Sequence, residues 1–189
     1  MGNDNVTIKL EHRVKTSADL SDYVYKYERA YTDALNNGDD IKEASESTKK
    51  ELNQLIDRTD LTYSDGMYDK ETGIAAIAVK DKNTGETYIA YAGTNKDADG
   101  ATDFISDANI GANNSAYLKR LGDKATSFYD RVQSNGDNIT VTTGHSYGDF
   151  LASRVAIELI PFFINFRKVN DSFHFCYLLV ITYKVTASS

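Results

Sequence analysis

The stretch "TVTTGHSYGDFLA", residues 140–152, joins a β-branched run to a segment whose apolar residues recur at helical spacing. The run 139–143 predicts a strand, and the residues after it predict a helix. The junction matches Gly-x-Ser-x-Gly, with Gly144 and Gly148 on either side of Ser146. A nucleophilic serine on a sharp strand-to-helix turn needs small residues at those two places, because the strand and helix backbones approach closely. These surroundings favour a nucleophile over an ordinary turn that contains a serine.

Working outward from this stretch, the hydrophobic periodicity predicts helices before and after a pair of strands. "IAAIAVK" and "TYIAYA" read as strands of a hairpin, because Asn83 and Gly85 between them supply turn residues. The predicted elements are helices 18–36, 40–57, 116–135 and 147–160 and strands 74–80, 87–92 and 139–143. Ser17 is expected to cap the first helix and Gly38 to end it, and Asp39 or Asp40 to cap the second. This order predicts an α/β protein whose parallel sheet follows an antiparallel hairpin.

Residue usage divides the chain into three parts. Residues 1–60 are a predicted helical segment, residues 61–160 a core, and residues 161–189 an atypical apolar tail. The tail holds the only proline and the only cysteine, together with "FHFCYLLVITYKV". It is interpreted either as a buried pair of strands or as residues foreign to the fold, after a native reading frame that ended near Leu159.

Composition excludes several classes of function. The net charge is −7 and no run is rich in Lys or Arg, so nucleic acid is not an expected partner. The N-terminus lacks an apolar core of a signal peptide, and no apolar run approaches the length of a transmembrane helix. A cytoplasmic or otherwise leaderless protein is therefore expected. The acidic loop around Asp97 and Asp99 lacks the ligand pattern of an EF-hand, and neither a metal ion nor a cofactor is expected.

Two segments in the same order resemble the class 3 (fungal-type) lipases and their bacterial α/β-hydrolase relatives. "TGHSYGDFLA" resembles that family's Thr-Gly-His-Ser-Leu-Gly-Gly-Ala-Leu-Ala elbow, and "YIAYAGTN…TDFISDANI" resembles its Phe-Arg-Gly-Thr…Asp-Trp-x-x-Asp-Leu segment. The resemblance covers about residues 60 to 160. It implies an α/β-hydrolase-like parallel sheet with helices on both faces, preceded by the N-terminal helices and the hairpin, with the C-terminal part missing.

The resemblance also implies roles for individual residues. Ser146 would be the acyl-accepting nucleophile, the backbone N–H groups of Thr94 and Tyr147 would form the oxyanion hole, and Gly144 and Gly148 would shape the elbow. His145 would be structural and not the catalytic base. Ala92 departs from the family, which has arginine there, and Asp149 replaces a glycine.

A complete catalytic triad is not visible. Serine needs a histidine to accept its proton, and that histidine needs an acid to orient it. The only histidine after Ser146 is His174, inside an alternating apolar run, with Asp171 too close to come from a separate strand. His12 is expected at the surface. The sequence therefore predicts a lipase-like serine ester hydrolase, impaired in this chain, for an acyl ester or lipid substrate. The alternative is a non-catalytic truncated remnant or interaction module, and the oligomeric state is left open.

Overall fold

The computed structural model describes residues 2–93, 115–145, 147–159, 164–170 and 176–182. Within those residues the chain forms four helices and six strands. The helices are α1 (Gly2–Asn36), α2 (Ile41–Leu55), α3 (Ser115–Ser134) and α4 (Tyr147–Leu159). The strands are β1 (Leu61–Asp69), β2 (Ile74–Asp81), β3 (Thr87–Tyr91), β4 (Ile139–His145), β5 (Ile164–Asn170) and β6 (Cys176–Thr182).

The sheet is mixed, with the order β1-β2-β3-β4-β6-β5. Strands β1, β2 and β3 form an antiparallel meander, and β4 then pairs parallel to β3 after the crossover through α3. On the other side of β4, the strands β6 and β5 pair antiparallel. The predicted α/β-hydrolase-like parallel sheet is therefore wrong. The predicted hairpin of β2 and β3 is antiparallel as expected. In the described part of the chain only the β3–β4 pair is parallel, because the helical crossover through α3 brings β4 back in the direction of β3.

Strand β1 was not anticipated, because "LTYSDGMYD" lacks a clean alternation of apolar and polar residues. Only Leu61 and Tyr63 of this strand are buried, and its register shifts between Tyr63 and Asp65. The strand nevertheless pairs with β2 along its whole length. It turns the predicted hairpin into a three-stranded antiparallel unit at one edge of the sheet.

Strand β2 divides the interior into two cores, one on each face of the sheet. Ala75, Ile77 and Val79 point to the core that contains the apolar residues of α1 and α2. The alternate residues of β2 point to the core that contains α3 and α4. Because helices cover both faces of the sheet, β2 is buried along almost its whole length. A strand that is buried on both faces has a continuous apolar sequence and not an alternating one.

Helix α1 is longer than its apolar stripe indicates. It begins at Gly2, so Ser17 is not its N-cap; Ser17 is buried inside the helix, where its carbonyl accepts a hydrogen bond from the Ser21 hydroxyl. The predicted end is correct: Gly38 has a φ of 101°, and its N–H donates to the carbonyl of Leu35. At 35 residues, α1 is about 50 Å long.

The shorter helices follow their predicted limits closely. Asp40 caps α2, accepting hydrogen bonds from the N–H groups of Lys42 and Glu43. The sequence predicts an inward face of α2 formed by Ile41, Ala44, Leu52, Leu55 and Ile56, but Ile41 is 75 % exposed and Leu55 is 38 % exposed. For α3 the helical spacing predicts an apolar face of six residues, and five of them are buried: Leu121, Ala125, Phe128, Tyr129 and Val132. The sixth, Leu118, is partly buried against them. No helix in the described ranges is long and apolar enough to cross a bilayer.

Candidate active site

The candidate site lies where the parallel strands β3 and β4 end side by side. Tyr91 is paired with Gly144, so the carboxyl ends of these two central strands lie side by side. Strand β4 ends at His145 and α4 begins at Tyr147. The predicted nucleophile Ser146 and the predicted oxyanion residue Thr94 lie outside the described residues, as does the side chain of Tyr147. The surrounding backbone is described, and it defines the junction.

The two glycines of the junction allow a very close approach between backbones. A Cβ atom on Gly144 would lie 2.2 Å from the carbonyl carbon of Gly148 and 2.6 Å from the amide nitrogen of Asp149. A Cβ atom on Gly148 would lie 2.2 Å from the carbonyl oxygen of Tyr91. All of these neighbours are backbone atoms, which cannot swing aside as a flexible side chain can. The first turn of α4 is therefore packed directly on the ends of β4 and β3, and only glycine fits at either position.

A side chain of α1 reaches the same place. The Tyr25 hydroxyl accepts a hydrogen bond of 3.0 Å from the backbone N–H of Gly93, which follows β3. The same hydroxyl lies 3.0 Å from Nδ1 of His145, and the two rings meet edge to face with their centroids 6.0 Å apart. Burial lowers the pKa of His145 from its ordinary value, which favours the neutral ring at neutral pH. Sequence reasoning gave Tyr25 no role and missed this contact.

The electrostatic setting of the junction favours anions. A helix N-terminus has unpaired N–H groups and a partial positive charge, and α4 starts immediately after position 146. Asp149 lies in the first turn of α4, where a carboxylate is stabilised by the same dipole. The end of β3 is buried at Ala92, which is 4 % exposed and whose N–H donates to the carbonyl of Ala75. Negative charge that developed beside the start of α4 would be stabilised there.

Both histidines in the described part of the chain are engaged by other side chains. His145 is engaged by Tyr25 through Nδ1. His12 is not the free surface residue that was expected: its side chain is 30 % exposed, and its Nε2 lies 2.5 Å from a carboxylate oxygen of the buried Asp81. His12 and Tyr25 are thirteen residues apart on one helix, which separates them by about 20 Å along its axis. His174 and Asp171 lie outside the described residues.

Among the described residues, one group has a composition that could hold a metal ion. The ligand atoms of His12, Asp60 and Asp81 lie within 4.8 Å of one another. Each already has a protein partner: the Arg58 guanidinium holds Asp60, and Asp81 accepts the N–H group of Asn83 at 2.8 Å. The hydrogen bond from Arg58 lowers the pKa of Asp60 to about 2. These contacts account for the group as a structural network at the opposite end of β2 from the junction.

No family profile, curated protein or solved structure matches this chain. The functional interpretation therefore depends on the junction at the ends of β3 and β4.

Proposed function

We propose that this chain carries the nucleophile half of a lipase-like serine ester hydrolase, with Ser146 as the acyl acceptor. The observation that supports this most strongly is the backbone contact between Gly144, Gly148 and the end of β3. An ordinary βα turn has no need of glycine on both sides of a central serine. The proposal depends on this local geometry and not on the fold, which differs from the one that the resemblance implied.

The proposed reaction is acyl transfer to the serine hydroxyl. The Ser146 oxygen would attack the carbonyl carbon of an acyl or lipid ester, and the alcohol would leave with the serine proton. Negative charge on the carbonyl oxygen would be stabilised by the N–H groups of Thr94 and Tyr147 and by the positive end of α4. Attack by water on the acyl-serine would then release the acid and restore the hydroxyl. No cofactor takes part in this scheme.

We propose a slow reaction, because each histidine in the described part of the chain already has a side-chain partner, Asp81 for His12 and Tyr25 for His145. Without a general base, the oxyanion site alone still gives a measurable acceleration over water. The same observation favours the second candidate function, a non-catalytic interaction module. The two differ in whether Ser146 reacts faster than an ordinary serine.

Chemical rescue distinguishes the two candidates. The full chain is incubated with a fluorophosphonate probe, with and without added imidazole, and the labelled residue is located by mass spectrometry. We expect slow labelling of Ser146 that imidazole accelerates at least severalfold, because the added base replaces the missing one. Ser146→Ala should abolish the labelling. The matched control is Ser127→Ala, which removes an exposed serine of α3 and should leave the rate unchanged.

The labelling results distinguish the hydrolase from the interaction module. Labelling that is no faster at Ser146 than at exposed serines, with or without imidazole, refutes the proposal and favours the interaction module. Complete labelling within minutes without imidazole shows that a base is present in the chain and that the activity is not impaired. Hydrolysis of short and long acyl esters of p-nitrophenol, measured with Ser146→Ala as the blank, then tests the substrate class.

A further inference from the structure

Tyr25 connects three segments that are distant in sequence. Its hydroxyl lies 3.0 Å from the Gly93 nitrogen, 68 residues away, and 3.0 Å from His145 Nδ1, 120 residues away. Tyr23 and Tyr27 of the same helix are buried. Tyr25 is half-buried, and its hydroxyl lies at the carboxyl ends of β3 and β4. A tyrosine used only for packing does not need two hydrogen bonds to separate strand ends.

Both partners of Tyr25 are neighbours of the groups that the proposed reaction uses. Gly93 precedes Thr94, the proposed oxyanion donor, and His145 precedes Ser146, the proposed nucleophile. Glycine permits a wide range of φ and ψ, so Gly93 by itself restrains its own backbone weakly. A hydrogen bond to the Gly93 N–H restrains the peptide at which this freedom begins.

We propose that Tyr25 is a positioning residue that holds Gly93, which precedes the proposed oxyanion donor, and His145, which precedes the proposed nucleophile, in register across the ends of β3 and β4. The inference rests on the proposed function and extends it, because it makes α1 part of the site. A hydrolytic centre needs its nucleophile and its oxyanion donors fixed to within a fraction of an ångström. The hydroxyl of Tyr25 contributes one contact to each side of that arrangement.

The chain offers a matched control on the same helix. Tyr31 is buried, and its hydroxyl donates to the carbonyl of Ile41, the first residue of α2, at 3.2 Å. Tyr25→Phe and Tyr31→Phe each remove one hydroxyl group from α1. Only the first removes contacts with Gly93 and His145. A difference between the two variants therefore reports the position of the lost hydroxyl and not the loss of a hydrogen bond in general.

The first measurement is the rate of Ser146 labelling with imidazole present, in the full chain and in both variants. We expect Tyr25→Phe to lower the rate about tenfold and Tyr31→Phe to change it less than twofold. Chemical denaturation of all three proteins shows whether the variants lose similar stability. Equal loss of labelling in the two variants overturns the positioning role.

The second measurement does not depend on activity. Amide hydrogen exchange at Gly93, followed by NMR, should become about five to ten times faster in Tyr25→Phe and stay unchanged in Tyr31→Phe. The titration of the His145 ring should move in Tyr25→Phe alone. Unchanged exchange and titration refute the Tyr25 contact itself. Absent labelling of the wild type, with altered exchange in Tyr25→Phe, refutes the proposed function and the positioning role but leaves the contact in place.

Discussion

Replacing Arg13 by methionine tests how α1 is held on the sheet. Arg13 and Glu86 form a buried ion pair in which both side chains are 4 % exposed, with guanidinium–carboxylate distances of 2.5 and 3.1 Å. Glu86 immediately precedes β3, so the pair anchors α1 to the amino end of that strand. Methionine keeps most of the side-chain volume and removes the charge, which leaves Glu86 buried without its main partner.

The expected loss of stability is about 3 kcal/mol at pH 7. Removing one partner of a buried ion pair costs about 3–5 kcal/mol, because the remaining charge is left in a poorly solvated place. The lower end applies here, since Lys9 also lies 2.9 Å from a Glu86 oxygen and keeps part of the compensation. Lys9 is 54 % exposed, so Lys9→Met is the matched control and should cost less than about 1 kcal/mol.

The dependence of this loss on pH has a definite sign. Burial raises the pKa of Glu86, but Arg13 and Lys9 outweigh it and the net pKa is lowered. A carboxyl group whose pKa is lower in the folded state than in the unfolded state stabilises the fold when the pH is above its unfolded-state pKa. This contribution is lost as the pH falls through the folded-state pKa. Without Arg13, burial dominates and the pKa of Glu86 rises. The variant is then most deficient at neutral pH, and its difference from the wild type shrinks towards pH 4 as Glu86 takes up a proton.

Urea denaturation followed by circular dichroism at pH 7 and pH 4.5 measures both the loss and its pH dependence. Adding Glu86→Gln to Arg13→Met should recover part of the stability at pH 7, because the uncompensated charge is gone. A loss below about 1 kcal/mol for Arg13→Met, or a loss that is the same at both pH values, would show that Glu86 is well solvated in the folded chain and that the reasoning is wrong.

Three further predictions concern the junction, a helix cap and the tail. Gly148→Ala should destabilise the chain by at least about 1–3 kcal/mol in the same assay, because its Cβ atom would lie 2.2 Å from the Tyr91 carbonyl oxygen; Ser127→Ala is the control. Asp40→Ala should cost about 1 kcal/mol by removing the N-cap of α2, whereas Asp39→Ala should cost less than half as much. Deleting residues 161–189 exposes the edge of β4 that pairs with β6, so light scattering should show more aggregation than for the full chain; equal or better solubility would instead favour a tail foreign to the fold.

The sequence predicted the elements whose signals are local. The helix cap predicted at Asp39 or Asp40, the turn at Gly85 and the glycines at 144 and 148 are short patterns with a direct steric or hydrogen-bonding cause. The direction of strand pairing has no such local cause. Periodicity placed β3 and β4 correctly, but β1 was hidden by its polar residues and the pairing of β6 with β4 depends on contacts between distant segments.

The role of Tyr25 was beyond sequence reasoning for a related physical reason. Helical spacing places Tyr25 outside the stripe that contains Tyr23 and Tyr27, and spacing alone does not separate a solvent-facing tyrosine from one that contacts a strand end. The distinction depends on where the hydroxyl ends, which is set by how α1 crosses the sheet. The exposed Ile41 and Phe150 show the same limit, since periodicity gives a helix face but not the exact width of its contact.

Helix α1 contacts both ends of β3, through Arg13 at one end and Tyr25 at the other. Arg13 binds Glu86, the residue before β3, and Tyr25 contacts Gly93, the second residue after the same strand. The two side chains are twelve residues apart on α1, about 18 Å along its axis. Strand β3 has five residues and is about 17 Å long, which is close to the distance between the two side chains along α1. One helix can therefore contact both ends of β3. A change at Arg13 that shifts α1 along the sheet would therefore be transmitted to Gly93, which couples the buried ion pair to the geometry of the candidate site.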